Sequence, residues 1–438
     1  MKSVPPRGSG WVDDRAAERW VHHLTSSQAI LFGNRPIRYR AVVLTLSPLN
    51  TRFVSNPLTE HYRLFDQYSF AGALNGSIFS APRSGMKTNS AKETGRLVAT
   101  FLTGAWRGEP PPLDFSATDF EIIAPLLLQS GAGALGWWRL RASELEECAA
   151  AEQLHEKFRL YTLESRLHKS RIEEVFGLLR SFSIEPILIK GWAAARYYPE
   201  RGLRPYGDID LCVRSEEFQS AERALAGLDP RKFRVDLHSG FAKFGIREQE
   251  RLVGRSQLVT MDQADVRILG VEDHLRVVCY HLMREGAWRP LWLMDVAAAL
   301  ESVAQDFDWN YCLGEKRQAA AVVCAIGLAQ ELLGARVEGL PEAGRQKKTP
   351  RWLVPTVLNE WGSRAPSMTS RHDFPMSGHL RLRKDLLKGL QHRWPNAIEA
   401  TTTMSGPFND LPRLPFQIGN SLFRVGAFLT HLPKTWNK

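Results

Sequence analysis

Three aspartates in the middle of the chain have the spacing of residues that hold a divalent cation. Asp208 and Asp210 flank Ile209 in the segment GDIDLCV, and Asp236 follows in the segment FRVDLH. Because side chains alternate between the two faces of a strand, the first two aspartates would project from one face while Ile209 enters the core. Carboxylates this close repel each other and raise the pKa of one of them, unless a cation lies between them. Mg²⁺ takes oxygen ligands, so the spacing predicts a magnesium site.

The segment around Asp236 shows the same alternation of apolar and polar side chains. Val235 and Leu237 would face the core, while Asp236 and His238 would share the opposite face. If this strand lies beside the strand of Asp210, three carboxylates converge, and they could hold one Mg²⁺ ion or two. His238 could contact an acceptor molecule there, although a structural role explains it equally well.

Basic and glycine residues upstream of the aspartates suit a nucleotide phosphate. Lys190 and Gly191 follow the short apolar segment PILI and open the helical segment WAAARYY. A glycine at this point lets backbone N–H groups approach a phosphate, and Lys190 adds a point charge. Arg204 offers a planar fork for phosphate oxygens. The alternative is an edge strand with two solvated aspartates and an ordinary glycine turn, but the ordered set of motifs favours a site.

The elements that must position these residues follow from the hydrophobic periodicity. Short apolar strands alternate with helical runs between residues 183 and 268, which is typical of an α+β or α/β unit. Apolar residues at every third or fourth position predict helices before and after it. We therefore divide the chain into an appended or poorly ordered segment 1–88, a helical region 89–182, a core 183–268, and a helical, basic region 269–438.

Composition restricts the class of protein. Of the 438 residues, 44% are hydrophobic and 24% are charged, as in ordinary globular proteins, so wholesale disorder is excluded. Five cysteines without a CxxC pair argue against a disulfide scaffold and a structural zinc site. The first residues lack an apolar signal segment, and the most apolar stretch, 122–138, is short and interrupted by proline and glycine. We expect a cytoplasmic protein without a membrane partner.

Charge is distributed unevenly along the chain. Residues 1–88 carry a net charge of +6, residues 89–340 a net charge of −5, and residues 341–438 a net charge of +9. The basic ends could attract a polyanion such as nucleic acid, or they could be solvated surfaces and a tail. The basic C-terminal region is therefore a candidate nucleic-acid contact.

Other motif-like segments lack the context that their chemistry needs. Residues 131–136, GAGALG, match a dinucleotide fingerprint, but the pattern on both sides is helical, which predicts a turn between two helices. The segment APRSG at 81–85 resembles a phosphosulfate-binding loop without the helix start that should follow. His274 and His281 lie seven residues apart without a carboxylate at ligand spacing, which favours hydrogen-bonded or surface histidines over a metal pair. Serine-hydrolase, zincin and P-loop motifs are absent from the sequence.

The segments LIKGWAAARYYPERGLRPYGDIDLCV and VDLH resemble the motifs of a known family. They are similar to those of an uncharacterised nucleotidyltransferase family within the DNA polymerase β-type superfamily, and the similarity covers roughly residues 95–435. The resemblance implies an α+β fold, with a small mixed β-sheet as the nucleotidyltransferase core and helical regions on both sides. It also implies Mg²⁺-dependent transfer of a nucleoside monophosphate from an NTP such as ATP to an acceptor hydroxyl, with release of pyrophosphate.

The resemblance assigns roles by position. Asp208 and Asp210 correspond to the paired metal-binding acids, and Asp236 corresponds to the third. Lys190 and Gly191 correspond to the glycine turn that holds the triphosphate, although Trp192 stands where the superfamily usually has glycine or serine. The acceptor could be a small molecule, a protein side chain or an RNA end. Two other readings stay open: a non-catalytic nucleotide- or nucleic-acid-binding protein, and a phosphotransferase of the same fold.

Overall fold

The computed structural model describes residues 90–141, 143–240, 249–314, 316–345, 348–363 and 394–430. The appended segment 1–88 and the motif APRSG lie outside the described residues. The first helices are α1 (Ala91–Leu102), α2 (Ala117–Ser130), α3 (Gly133–Leu140) and α4 (Ala149–Ser181). The GAGALG segment joins α2 to α3, which confirms the predicted turn between two helices.

All strands of the described residues lie in one stretch of the chain. Its elements are β1 (Ile187–Leu188), α5 (Trp192–Ala195), β2 (Ile209–Val213), α6 (Phe218–Leu225), β3 (Val235–Ser239), α7 (Gln249–Arg255), β4 (Gln257–Thr260) and β5 (Asp265–Ile268). The helices that follow are α8 (Val271–Arg284), α9 (Pro290–Glu301), α10 (Trp309–Leu313), α11 (Lys316–Leu333), α12 (Glu342–Arg345), α13 (Leu353–Gly362), α14 (Ala397–Thr403) and α15 (Leu414–Thr430). None of these helices is long and apolar enough to cross a membrane.

The strands form one five-stranded mixed sheet in the order β3-β2-β1-β5-β4. The β2 strand is parallel to β3 and antiparallel to β1, while β5 is parallel to β1 and antiparallel to β4. The prediction of an α+β fold with a small mixed sheet is confirmed. The apolar pattern of the sequence predicts the first three strands but not β4 and β5, which complete the sheet beyond β1.

The two faces of the sheet have different surroundings. One face packs on the C-terminal half of α4, where Ile172 and Phe176 join Ile209 and Leu211 in a buried apolar cluster. Residues of the opposite face, among them Cys212, pack on α7 and α8. Because side chains alternate along β2, the apolar contacts of the first face direct Asp210 to the second. The sheet core therefore determines the face on which the carboxylates lie.

The long helix α4 belongs to two cores. Its first turns contribute Ala151 and Leu154 to the apolar core of the surrounding helices, and its last turns contribute Val175 and Leu179 to the sheet core. The helix runs without interruption for 33 residues, a length of about 50 Å at 1.5 Å per residue. The hydroxyl of Thr162, near its middle, lies 3.0 Å from the carbonyl oxygen of residue 201 and 2.8 Å from that of Phe158, and shares its proton between them. The loop that leads to β2 is thereby attached to α4.

Candidate active site

Two carboxylates face each other across adjacent strands of the sheet. Asp210 on β2 is the register partner of Asp236 on β3, and the two strands run parallel. The amide of Ile189 donates a hydrogen bond to the carbonyl of Asp210 at 3.0 Å, which fixes the backbone of β2 at this position. The strands of Asp210 and Asp236 are therefore neighbours, which is the condition for these two carboxylates to converge.

Lys190 supplies the positive charge nearest to Asp210. Its Nζ lies 2.6 Å from Asp210 Oδ1, and the two side chains are only 17% and 13% exposed. Burial by itself raises the pKa of Asp210, but the charge of Lys190 and the contact with His238 outweigh it and hold the pKa well below its usual range. Asp210 is therefore a permanent anion. Lys190 was predicted as a phosphate ligand, and that role stays a prediction.

His238 lies beside both carboxylates. Its Nε2 is 3.3 Å from Asp236 Oδ2 and 4.0 Å from Asp210 Oδ1, and the side chain is 12% exposed. Burial lowers the pKa of the imidazole, yet the contacts with the two aspartates raise it above the usual value. Asp210, Asp236 and His238 each offer one potential ligand atom, and these atoms lie within 4.8 Å of one another. In the described part of the chain, this is the one group of three or more such side chains that could hold a metal ion.

Asp208 has a different partner from the one that the sequence analysis expected. It precedes β2, and Arg234 Nη2 lies 2.8 Å from its Oδ1, so its carboxylate is outside the group formed with His238. Burial raises the pKa of Asp208, the charge of Arg234 lowers it, and the charges of Asp210 and Asp236 raise it again, with a net increase. The predicted repulsion between the paired aspartates therefore contributes, together with burial, to the raised pKa of Asp208. Its role as a metal ligand stays a prediction.

Gly191 makes the turn between β1 and α5 possible. Its backbone has φ 62° and ψ −113°, a conformation with positive φ that residues with a Cβ rarely adopt. A Cβ at this position would lie 3.4 Å from the carbonyl oxygen of Asp208, so the turn passes close to the start of β2. Trp192, the next residue, is partly buried against the sheet core. Nucleotide binding by Gly191 stays a prediction.

Arg204 is bound to a residue that the sequence analysis did not identify. Its Nη2 lies 2.8 Å from Asp295 Oδ2 on α9, and its Nε lies 3.1 Å from Oδ1 of the same carboxylate. The hydroxyl of Tyr198 donates a third hydrogen bond to Asp295, at 2.9 Å. The arginine and aspartate side chains are 10% and 3% exposed. Phosphate binding by Arg204 stays a prediction, and it would require the guanidinium to exchange Asp295 for a phosphate.

Replacing Asp295 by Asn is expected to lower the free energy of unfolding by about 3–5 kcal/mol, because Arg204 would stay buried without a counter-charge. Denaturant unfolding measures the loss. Asp306→Asn is the matched control: Asp306 is exposed between α9 and α10, and its replacement should change stability by less than about 0.5 kcal/mol. A loss below about 1 kcal/mol for Asp295→Asn would contradict the assignment of a buried ion pair.

The two histidines of α8 pack on aromatic rings. The ring centroid of His274 lies 5.3 Å from that of Tyr197, and the centroid of His281 lies 4.8 Å from that of Trp292. Burial lowers the pKa of both imidazoles, to about 4 for His274. Both rings are therefore neutral at pH 7, and neither belongs to the group around Asp210.

Comparison with known proteins finds a family whose model matches the chain. The model of a family described as uncharacterised nucleotidyltransferase matches residues 116–231 and 228–334, about half of the chain. No curated protein and no solved structure matches the chain. The matched segments contain Lys190, both aspartates of the GDID motif, Asp236 and His238. The chain therefore belongs to the uncharacterised nucleotidyltransferase family.

Proposed function

We propose that this protein is a Mg²⁺-dependent nucleotidyltransferase that transfers a nucleoside monophosphate from an NTP to an acceptor hydroxyl and releases pyrophosphate. The observation that carries the proposal is the pair Asp210 and Asp236, which face each other on adjacent parallel strands of a mixed sheet. The family match supports nucleotidyl transfer as the class of reaction. The proposed substrates are an NTP such as ATP and an acceptor that is a small molecule, a protein or an RNA.

The residues present fit a divalent cation. Asp210 and Asp236 offer carboxylate oxygens, the donors that Mg²⁺ prefers, and one ligand atom from each lies within 4.8 Å of the other. Asp210 is anionic at every physiological pH because of Lys190. Asp208 would join them if its carboxylate left Arg234. Bound Mg²⁺ would neutralise charge on the phosphates and on the departing pyrophosphate.

The chain's own residues would supply the remaining functions by position and charge. Lys190 would donate hydrogen bonds to the phosphates once its ammonium group turns from Asp210, which it contacts at 2.6 Å. Asp236 would accept a hydrogen bond from the acceptor hydroxyl and orient it toward the α-phosphorus. Arg234 lies at the edge of the site beside Asp208 and would add positive charge there. Positioning and charge neutralisation account for most of the catalysis in this class of reaction.

The direct test is pyrophosphate release by the full chain with Mg²⁺ and each of the four NTPs, with a cell extract as the source of acceptors. Release is expected from the wild-type protein and from the Asp306→Asn control, but not from Asp208→Ala. Release that persists in Asp208→Ala would contradict the role of Asp208 as a metal ligand. An NDP product would identify a phosphotransferase, and tight NTP binding without turnover would identify a non-catalytic binding protein.

A radioactive label on the α-phosphate of the NTP, which is transferred with the nucleoside monophosphate, would then identify the class of acceptor. The net charge of +9 on residues 341–438 favours an anionic acceptor, and nucleic acid fits that charge. With an α-³²P-labelled NTP, label in a nuclease-sensitive product would support an RNA acceptor. Label in a protease-sensitive or low-mass product would assign a protein or a small molecule instead.

A further inference from the structure

A histidine nitrogen lies beside the two carboxylates of the proposed cation site. His238 lies two residues after Asp236 on β3 and therefore on the same face of the sheet. Its Nε2 is 3.3 Å from Asp236 Oδ2 and 4.0 Å from Asp210 Oδ1. Ligand atoms bound at about 2.1 Å to one octahedral ion lie about 3.0 to 4.2 Å apart. The imidazole therefore lies at the separation of a ligand from both carboxylates.

The third aspartate does not occupy this position. Asp208 Oδ1 lies 2.8 Å from Arg234 Nη2, and the group of mutually close ligand atoms consists of Asp210, Asp236 and His238. The imidazole is only 12% exposed, so neighbouring groups restrict its movement. A cation bound to Asp210 Oδ1 would have to displace Lys190 Nζ, which lies 2.6 Å from that oxygen.

The chemistry of this donor set differs from that of three carboxylates. Mg²⁺ requires oxygen ligands in near-ideal octahedral geometry and retains much of its water. An imidazole nitrogen favours a divalent transition metal, while carboxylates suit Mn²⁺ as well as Mg²⁺. A group of two carboxylates and one imidazole suits Mn²⁺ better than Mg²⁺.

We propose that His238 is a nitrogen ligand of the cation held by Asp210 and Asp236, and that the site consequently binds Mn²⁺ in preference to Mg²⁺. The inference rests on the proposed function for the presence of a cation and adds the identity of a ligand and the preferred metal.

The test is pulsed EPR of Mn²⁺ bound to the full-length protein without nucleotide. Nuclear modulation from an imidazole ¹⁴N is expected, and protein grown with ¹⁵N-histidine should replace it by the ¹⁵N signal. In His238→Gln the modulation should disappear, and the Kd for Mn²⁺ should rise at least tenfold while the Kd for Mg²⁺ rises less than threefold. The matched control is His155→Gln. His155 lies in α4, and its ring centroid is 3.9 Å from that of Trp137 in α3. This variant should keep both the nitrogen modulation and the affinity for Mn²⁺.

Several results would overturn the inference. Mn²⁺ bound without nitrogen modulation in the wild-type protein would show that His238 only positions the carboxylates, and this reading does not depend on whether the variant folds. Modulation that survives in His238→Gln would assign the nitrogen to another histidine, and failure of Mn²⁺ to bind would also refute the ligand set. The pyrophosphate assay separates this inference from the proposed function. If pyrophosphate is released in Mg²⁺ but bound Mn²⁺ shows no coupling to nitrogen, only the assignment of His238 as a ligand is refuted. If the coupling is present but no NTP gives pyrophosphate, only the proposed nucleotidyl transfer is refuted.

Discussion

Asp210→Asn is expected to reduce pyrophosphate release by at least about 10³-fold, which corresponds to a loss of roughly 4 kcal/mol of transition-state stabilisation. Asp210 is the carboxylate that Lys190 and His238 both contact, and it is the strand partner of Asp236. Asn keeps the shape of the side chain but removes its charge, so a cation would lose its strongest ligand. Initial rates of pyrophosphate release at saturating NTP measure the effect.

The same substitution leaves Lys190 without its anion, which would itself destabilise the protein. The Lys190 side chain is 17% exposed, and an uncompensated charge at such a position costs about 2–4 kcal/mol. The double variant Asp210→Asn/Lys190→Met removes both charges and should recover most of the lost stability. It should stay inactive. Recovery of activity together with stability would show that Asp210 acts only through the fold, and it would refute the catalytic assignment.

Gly95→Ala is expected to lower the free energy of unfolding by about 3 kcal/mol or more, because two helices touch at this glycine. A Cβ on Gly95 in α1 would lie 1.9 Å from the carbonyl oxygen of Leu358 in α13, and a Cβ on Gly362 would lie 1.7 Å from the carbonyl oxygen of Ala91. A backbone oxygen cannot turn aside as the end of a side chain can. The helices would have to separate, and the apolar core around Phe101 would loosen. Denaturant unfolding measures the shift.

Gly177→Ala is the matched control for that prediction. Gly177 also lies within a helix, α4, but a Cβ there would meet nothing within 4 Å. Alanine restricts the unfolded chain more than glycine does, so this variant should gain about 0.5–1 kcal/mol. Equal stability changes in the two variants would show that helix propensity, and not close packing of α1 on α13, governs these positions.

The face of the sheet on which the site's side chains lie was predictable, because it depends on the alternation of polar and apolar residues along each strand. The alternation of Asp210 and Asp236 with their apolar neighbours assigns a face to these two carboxylates before any strand pairing is known. It does not do so for Asp208, which precedes β2 and contacts Arg234. The turn at Gly191 was also predictable from local sequence, because an apolar strand ends and a helical segment begins at this glycine.

The partners of the charged groups were not predictable, because they depend on contacts between distant segments. Arg204 is bound by Asp295, which lies 91 residues later on α9. Arg234 neutralises Asp208 only because β2 and β3 are parallel and in register. Alternation placed His238 on the face of Asp236, but it could not give the distance to Asp210. The strands β4 and β5 were missed because each has only four residues, although β5 alternates polar Asp265 and Arg267 with buried Val266 and Ile268.

The continuity of α4 has a mechanical consequence. A single helix that is anchored in both cores, and that also contacts the loop before β2 through Thr162, joins the described helical core to the sheet without a break of its own. Rotation of one against the other would bend this helix and break its backbone hydrogen bonds. We therefore expect substrates to reach the carboxylates through the movement of individual side chains, with Lys190 turning from Asp210, and not through the opening of a cleft between two lobes.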